Sequence, residues 1–326
     1  MARIVGALRR AGYAAILVLA VVVLNFTLIQ LAPGDPVEVI AGEMGGTSAE
    51  IMAQLRAAYG LDRSYVEQLA IYLGKVVRGD LGYSYYFNAP VSGLILQRVP
   101  ATLLLVLSSL GLAIVVGTLL GVVAARRPNG WLSHLVTLLA LVGYAAPVFW
   151  TGIMLVILFA SIVPIFPVSG MYDVRLQLSG FAHALDVARH MVLPVSTLTI
   201  IYIALFSRLA RASMLEVLGS DYVRTARAKG LPESSVVLKH ALRNAILPVV
   251  TIAGLQFSHL FAGAVLVETV FNWPGMGRLA YESILRRDTP TILGILFFSA
   301  LIVILANLLT DLAYRLIDPR IKVGAS

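Results

Sequence analysis

Six apolar segments set the frame for this chain: residues 11–31, 101–124, 135–163, 192–209, 246–271 and 291–316. Each is about long enough to cross a ~30 Å hydrocarbon core as a helix rising ~1.5 Å per residue. In that medium a backbone must satisfy its own hydrogen bonds, so such a run reads as a helix. Composition agrees. Hydrophobic residues make up 59% of the 326 and charged residues 13%, against roughly a quarter charged in a soluble domain. The expected fold is an all-α polytopic membrane protein with six transmembrane helices. The third segment is too long for one straight crossing and contains Pro147, so a kink or a strong tilt is expected there.

The first segment follows Arg9 and Arg10, as a signal peptide would. Its apolar run is longer than a signal core, and no small-x-small site precedes Pro33-Gly34-Asp35-Pro36, so it reads as an uncleaved anchor. Orientation follows from the basic residues. With the N-terminus inside, the inner segments hold fifteen of the 25 Lys and Arg and five of the 17 Asp and Glu. The inside then carries +10 and the outside −2, which is the positive-inside bias, and both termini are cytoplasmic. Topology therefore accounts for the net charge of +8 without nucleic-acid binding. There is no cysteine, hence no disulfide, thiolate metal site or cysteine nucleophile.

Residues 1–31 form the N-terminal tail and first span, 32–100 an extracytoplasmic segment, and 101–326 a core of five further spans. The outer segment is polar, with helical periodicity at 49–59 and 65–77 and a turn signal at Gly45-Gly46-Thr47-Ser48. It reads as a small helical cap, too short to fold well alone.

The inner loop 213–245 carries the strongest local signals. Gly219-Ser220-Asp221 ends the helix leaving the fourth span, and Ser220 or Asp221 can cap a new one. Residues 222–229 make about two turns. Gly230 suits the left-handed residue after that helix. Pro232 and Glu233 suit the first turn of a second helix over 233–245, and Pro248 lies at the turn into the fifth span. On the first short helix Tyr222, Thr225 and Ala226 share one face, with Lys229 just beyond. Small residues at Thr225, Ala226 and Ala228 would let another protein approach closely. A basic loop resting on anionic headgroups is the simpler alternative.

The segment resembles the cytoplasmic "EAA" loop of binding-protein-dependent ABC import permeases, in particular the dipeptide/oligopeptide/nickel permease family. The matching stretches are 221–231, Asp-Tyr-Val-Arg-Thr-Ala-Arg-Ala-Lys-Gly-Leu, and 240–249, His-Ala-Leu-Arg-Asn-Ala-Ile-Leu-Pro-Val. Arg224-Thr225-Ala226 stands in place of the Glu-Ala-Ala triplet. The resemblance continues through Leu31-Ala-Pro-Gly-Asp-Pro36, Gly60-Leu-Asp62, Gly79-Asp-Leu-Gly82, the segment Glu268 to Gly277, Arg287-Asp288 and Asp318-Pro-Arg320.

The resemblance implies a permease subunit in a bacterial or archaeal cytoplasmic membrane. It would pair with a second homologous permease, dock two ATP-binding subunits and receive solute from an external binding protein. ATP and magnesium would sit on the ATP-binding subunits, with no cofactor on this chain. The coupling loop would comprise Asp221, Tyr222, Arg224, Thr225, Ala226, Arg227, Lys229, Gly230, Leu231, His240, Arg243 and Asn244. Solutes handled by such permeases include dipeptides, oligopeptides, nickel chelates and glycosides.

The chain's own residues exclude other classes. None of Lys75, Lys229, Lys239 and Lys322 precedes Ser or Thr, so the phosphate-loop pattern is missing. No His-Glu-x-x-His or Gly-x-Ser-x-Gly occurs, so no catalytic residue and no metal ligand set is assigned. The rival is an ion-coupled transporter or channel, which would place ionisable groups at mid-membrane; the spans hold almost none. Polar candidates for a pathway are Asn25, Gln256, His259 and Asn307, with Gln30 also within a span. The plainer reading binds them to neighbouring helices. Gly117 and Gly121 permit close helix packing. Trp273-Pro274-Gly275 reads as a rigid turn with an interfacial aromatic.

Overall fold

The computed structural model describes residues 2–31, 49–59, 62–84 and 86–317. The motifs at 32–36, 45–48, 60–61 and 318–320 lie outside those residues, as does the side chain of His259. The chain divides into two compact units, Met1–Pro100 with Arg278–Leu305, and Ala101–Gly277 with Ala306–Ser326.

In the first unit, α1 (Ala2–Leu31) is followed by α2 (Ala49–Tyr59) and α3 (Tyr65–Val77). The two short helices have the bounds that periodicity predicts. Ser64 and Glu67 form a reciprocal capping box on α3, each satisfying a free backbone N–H of the other. Phe26 of α1 packs against Tyr65 and Tyr72 of α3, with ring centroids 5.7 and 5.5 Å away. Gln30 donates to Gln68 alongside, so its partner is a side chain of the outer segment. A two-stranded antiparallel ribbon follows, β1 (Tyr83–Ser84) on β2 (Ala89–Pro90), with Asn88 left-handed at φ 50 in the turn. Asp288 fastens this ribbon to the later part of the unit. Its Oδ2 accepts from Ser84 and, at 2.6 Å, from Thr291.

In the second unit the organising element is α7 (Gly180–Leu218), which contacts α5 (Trp131–Ala145), α6 (Val148–Val156) and α11 (Leu247–Val270). The long helix α4 (Val91–Arg126) also lies on it. A Cβ on Gly117 would stand 2.8 Å from Phe206 Cβ, and one on Gly121 2.6 Å from the Ser207 carbonyl oxygen. These two glycines let the backbones of α4 and α7 touch, the packing that small residues four apart permit between apolar helices. Leu105, Leu198, Phe206, Phe271 and Trp273 fill the centre of this unit. Two buried hydroxyls in these helices bond to their own backbone, Ser109 to Leu105 O at 2.7 Å and Thr197 to Leu193 O at 2.8 Å.

The third apolar segment breaks at Ala146-Pro147 into α5 and α6, bent by more than 40°. Pro147 has no N–H to give the ladder, and extended backbone precedes it at Ala146. A π turn, Ile157–Ile162, closes α6. The remaining helices are α12 (Met276–Leu285) and α13 (Thr289–Ile317). Among the described residues three helices are long and apolar enough to cross a membrane, and up to five if each bent pair is one span. Leu96, Leu107, Val115 and Leu119 of α4 are all exposed, an apolar surface of the kind that lipid or another subunit covers.

Candidate functional site

The loop after α7 is built from two short helical pieces locked onto one small core. The helix α8 (Asp221–Ala228) is followed by a run made of α9 (Glu233–Ser235), a π turn (Val236–Ala241) and α10 (Leu242–Ala245). Val223 and Ala226, three apart on α8, are 0% and 6% exposed. They pack with Met214, Val122, Val236, Val237, Ala241 and Ala245. The π turn explains the spacing on the second piece. One extra residue per turn puts Val236 and Ala241, five apart, on the same buried side. The predicted regular helix over 233–245 is therefore helical throughout but not uniformly α.

The joint between the pieces is fixed by three devices. Gly230 adopts φ +75, where a side chain would be strained. Pro232 occupies the N-cap position of α9. Arg227 grips Glu233 in a forked pair, Nε to Oε2 at 3.1 Å and Nη2 to Oε1 at 2.8 Å. The guanidinium of Arg227 holds the Glu233 carboxyl below the usual carboxylate range, chiefly through these hydrogen bonds. A second tie joins the pieces where Asn244 donates to the Tyr222 hydroxyl at 2.8 Å.

Two expectations about this loop are corrected. Ser220 sits at the N-cap of α8, yet its hydroxyl donates back to Val217 O at 2.6 Å instead of accepting from the new helix. Asp221 pairs with Arg224 and so does not cap either. Ala226 does not share an outer face with Tyr222 and Thr225; it is turned into the chain's own core. The surface that α8 leaves open consists of Asp221, Tyr222, Arg224, Thr225, Arg227 and Ala228, continued by Lys229 and Leu231. Of the remaining residues assigned to the loop, Arg243 and Asn244 are exposed and His240 is half-buried.

Of the four pathway candidates, His259 has its side chain outside the described residues. Asn25 lies half-buried on α1, in the first unit. Gln256 is half-buried on α11 and Asn307 exposed on α13, both in the second unit. Among the described residues, none of these three makes a side-chain hydrogen bond.

The second unit also holds a buried polar centre that no local sequence pattern predicts. Glu268, fully buried near the end of α11, accepts from Thr102 Oγ1 at 2.6 Å. The same hydroxyl accepts from the Met276 backbone N–H at 2.7 Å. Trp273 is not interfacial: it is 0% exposed, and its indole N–H donates to Ala101 O at 2.9 Å. The available signal was the pair of glycines after the acid, Gly275 and Gly277. Both stand where a Cβ would meet the Glu268 carboxylate, at 2.2 and 3.0 Å.

The family model described as binding-protein-dependent transport system inner membrane component matches residues 117–323. The N-terminal companion, described as binding-protein-dependent transport system membrane component, N-terminal, matches residues 1–106. The chain belongs to this permease family. The permease is 42% identical over 332 residues to the dipeptide transport system permease protein DppB of Escherichia coli K12, covering 97% of this chain and 98% of that one. It is 45% identical over 309 residues to a putative peptide permease of Brucella suis, covering 94% and 95%. A chain of the MetNI methionine ABC transporter, solved in inward-facing conformations, shares its fold with TM-score 0.55 at 19% identity, over 69% of this permease and 96% of that chain. The protein is thus an ABC-import permease of the peptide family, a multi-pass inner-membrane transport subunit and not an enzyme.

Proposed function

We propose that this permease forms, with a second homologous permease, the pathway of an ATP-driven importer for dipeptides or oligopeptides, and that α8 is its coupling helix. In this reading two separate subunits bind and hydrolyse ATP with magnesium, and an extracytoplasmic binding protein delivers the solute. The chain crosses the cytoplasmic membrane of a bacterium or archaeon six times with both termini inside. Charge asymmetry supports that orientation. Names of relatives support the solute class, including a di/tripeptide permease of Pseudomonas aeruginosa that is 41% identical over 329 residues. Gln256, His259, Asn25 and Asn307 are proposed to face the pathway.

The observation that carries the coupling role is the two-sided build of α8. Val223 and Ala226 bind it to the permease's own core, while Tyr222, Thr225, Ala228 and Lys229 stay open. A push on the open face would move the core beneath it as one body. The chain has no cysteine, so single cysteines at Thr225 or Lys229 give a clean test. Each should cross-link to a co-purified ATP-binding subunit, with a yield that changes on adding ATP. A cysteine at Arg175, on the segment proposed to lie outside, should not. No cross-link from either α8 position would refute the docking role. Binding of di- and oligopeptides, nickel chelates and glycosides to the partner binding protein decides the solute.

A further inference from the structure

A cavity of about 560 Å³ opens beside the turn that joins α4 to α5. Arg126 and Arg127, at the end of α4, and Arg227 of α8 line it; Glu233 is the one carboxylate in the lining. Arg227 and Glu233 neutralise each other in their forked pair, which leaves the charge of two arginines. Among the described residues neither Arg126 nor Arg127 makes a salt bridge or a side-chain hydrogen bond, and Arg126 stands close enough to Glu233 to add to the lowering of its pKa. Arg211 braces the same turn, donating to Ser133 Oγ at 3.1 Å and to Pro128 O at 3.3 Å. Val123, Leu132, Leu218 and Val237 supply the apolar part of the lining. At the rim stands Trp131, 76% exposed.

The position in the fold matters as much as the lining. The apolar run 101–124 of α4 is about one hydrocarbon thickness long and ends just before Arg126 and Arg127, which suits the two arginines to headgroup depth. An exposed tryptophan beside them suits the same interface. Guanidinium forks match phosphate oxygens, and basic pockets at the ends of membrane helices accept such headgroups. We propose that this cavity binds the phosphate of an anionic phospholipid, held by Arg126 and Arg127, with its chains along Val123 and Trp131. A free phosphate would use the arginines but gain nothing from the apolar wall. Arg227 and Glu233 belong both to the cavity and to the clasp behind α8. Occupancy would therefore stiffen the proposed coupling helix; that consequence rests on the docking role, whereas lipid binding does not.

Native mass spectrometry of the full chain, purified with its partner subunits and offered phosphatidylglycerol or phosphatidylcholine, tests the site. The wild type should retain phosphatidylglycerol in preference. R126Q/R127Q should weaken that retention by about fivefold per arginine; R126K/R127K, which keeps the charge and loses the fork, should weaken it less, and R175Q should leave it unchanged. Inorganic phosphate should leave the bound lipid in place. Equal retention of the two lipids by the wild type overturns the proposal and needs no variant to fold. Unchanged retention in R126Q/R127Q overturns it too. Displacement by inorganic phosphate marks a free-anion site and overturns the assignment to lipid.

Discussion

The carboxylate of Glu268 occupies the space that a side chain at Gly275 would need: a Cβ there would stand 2.2 Å from Oε1. The carboxylate cannot simply swing aside, because it is buried and accepts from Thr102 at 2.6 Å. Overpacking of this kind costs about 1–3 kcal/mol. Gly275→Ala should therefore lower the thermal midpoint of the purified permease assembly. Gly111→Ala, on α4 with nothing within 4 Å of its Cβ, should leave it near the wild type. Equal midpoints for the two variants would sink this account of the glycine.

The contact of α4 with α7 makes a second case. At Gly121 the obstacles to a Cβ are backbone, the Ser207 oxygen at 2.6 Å and the Arg211 nitrogen at 2.8 Å, together with Ala210 Cβ at 2.7 Å. None can rotate away, so the helices must part. Gly121→Ala should destabilise by about 1–3 kcal/mol, and Gly121→Leu should abolish the folded protein. Fluorescence-detected size exclusion after graded heating reads both. A Gly121→Leu protein that runs as the wild type after heating would show that the helices do not meet there.

Much of this was legible in sequence where the cause is local. Gly230, Pro232 and the break at Pro147 act through their own backbone, so the loop's joint and the bent third segment could be placed without a structure. The helix Tyr65–Val77 is similar, since its periodicity lies within the segment itself. What escaped depends on distance along the chain. Thr102 and Glu268 meet across 166 positions, and nothing near either residue announces the other. The inward turn of Ala226 also depends on remote partners, Val122 and Met214 among them. Its small size reads equally well as an open docking surface. The π turn at Val236–Ala241 was hidden because its extra residue only becomes visible once both Val236 and Ala241 are seen to be buried.

The clasp between Arg227 and Glu233 predicts a pH dependence. Its hydrogen bonds lower the Glu233 pKa from an ordinary 4.5. The stabilisation is thus complete above that ordinary value and is lost as pH falls through the lower, folded value. Between pH 6 and 8 nothing should change. A nitroxide label at position 231, just beyond Gly230, reads the joint. Its spectrum should stay broad at neutral pH and narrow only below about pH 4.5. Glu233→Gln should give the narrow spectrum at every pH. A transition centred near neutrality would mean that another group controls the joint.

Gly230 and Ala226 separate the two requirements on α8. A Cβ at Gly230 meets nothing within 4 Å, so the cost of Gly230→Ala comes from φ +75 alone, about 1–2 kcal/mol. Gly230→Asn should cost less, because asparagine tolerates that region better. Ala226→Leu is different in kind, since it forces a larger side chain against Val223, Val236 and Met214 and costs about 1–3 kcal/mol. Thr225→Leu, on the exposed face, should leave the fold intact and act only on association with the ATP-binding subunit. Thermal midpoints and co-purification measured together distinguish these. The expected pattern is a lowered midpoint for Ala226→Leu and Gly230→Ala, and a normal midpoint with weakened co-purification for Thr225→Leu. A lowered midpoint for Thr225→Leu would place that face inside the protein and remove the surface proposed for docking.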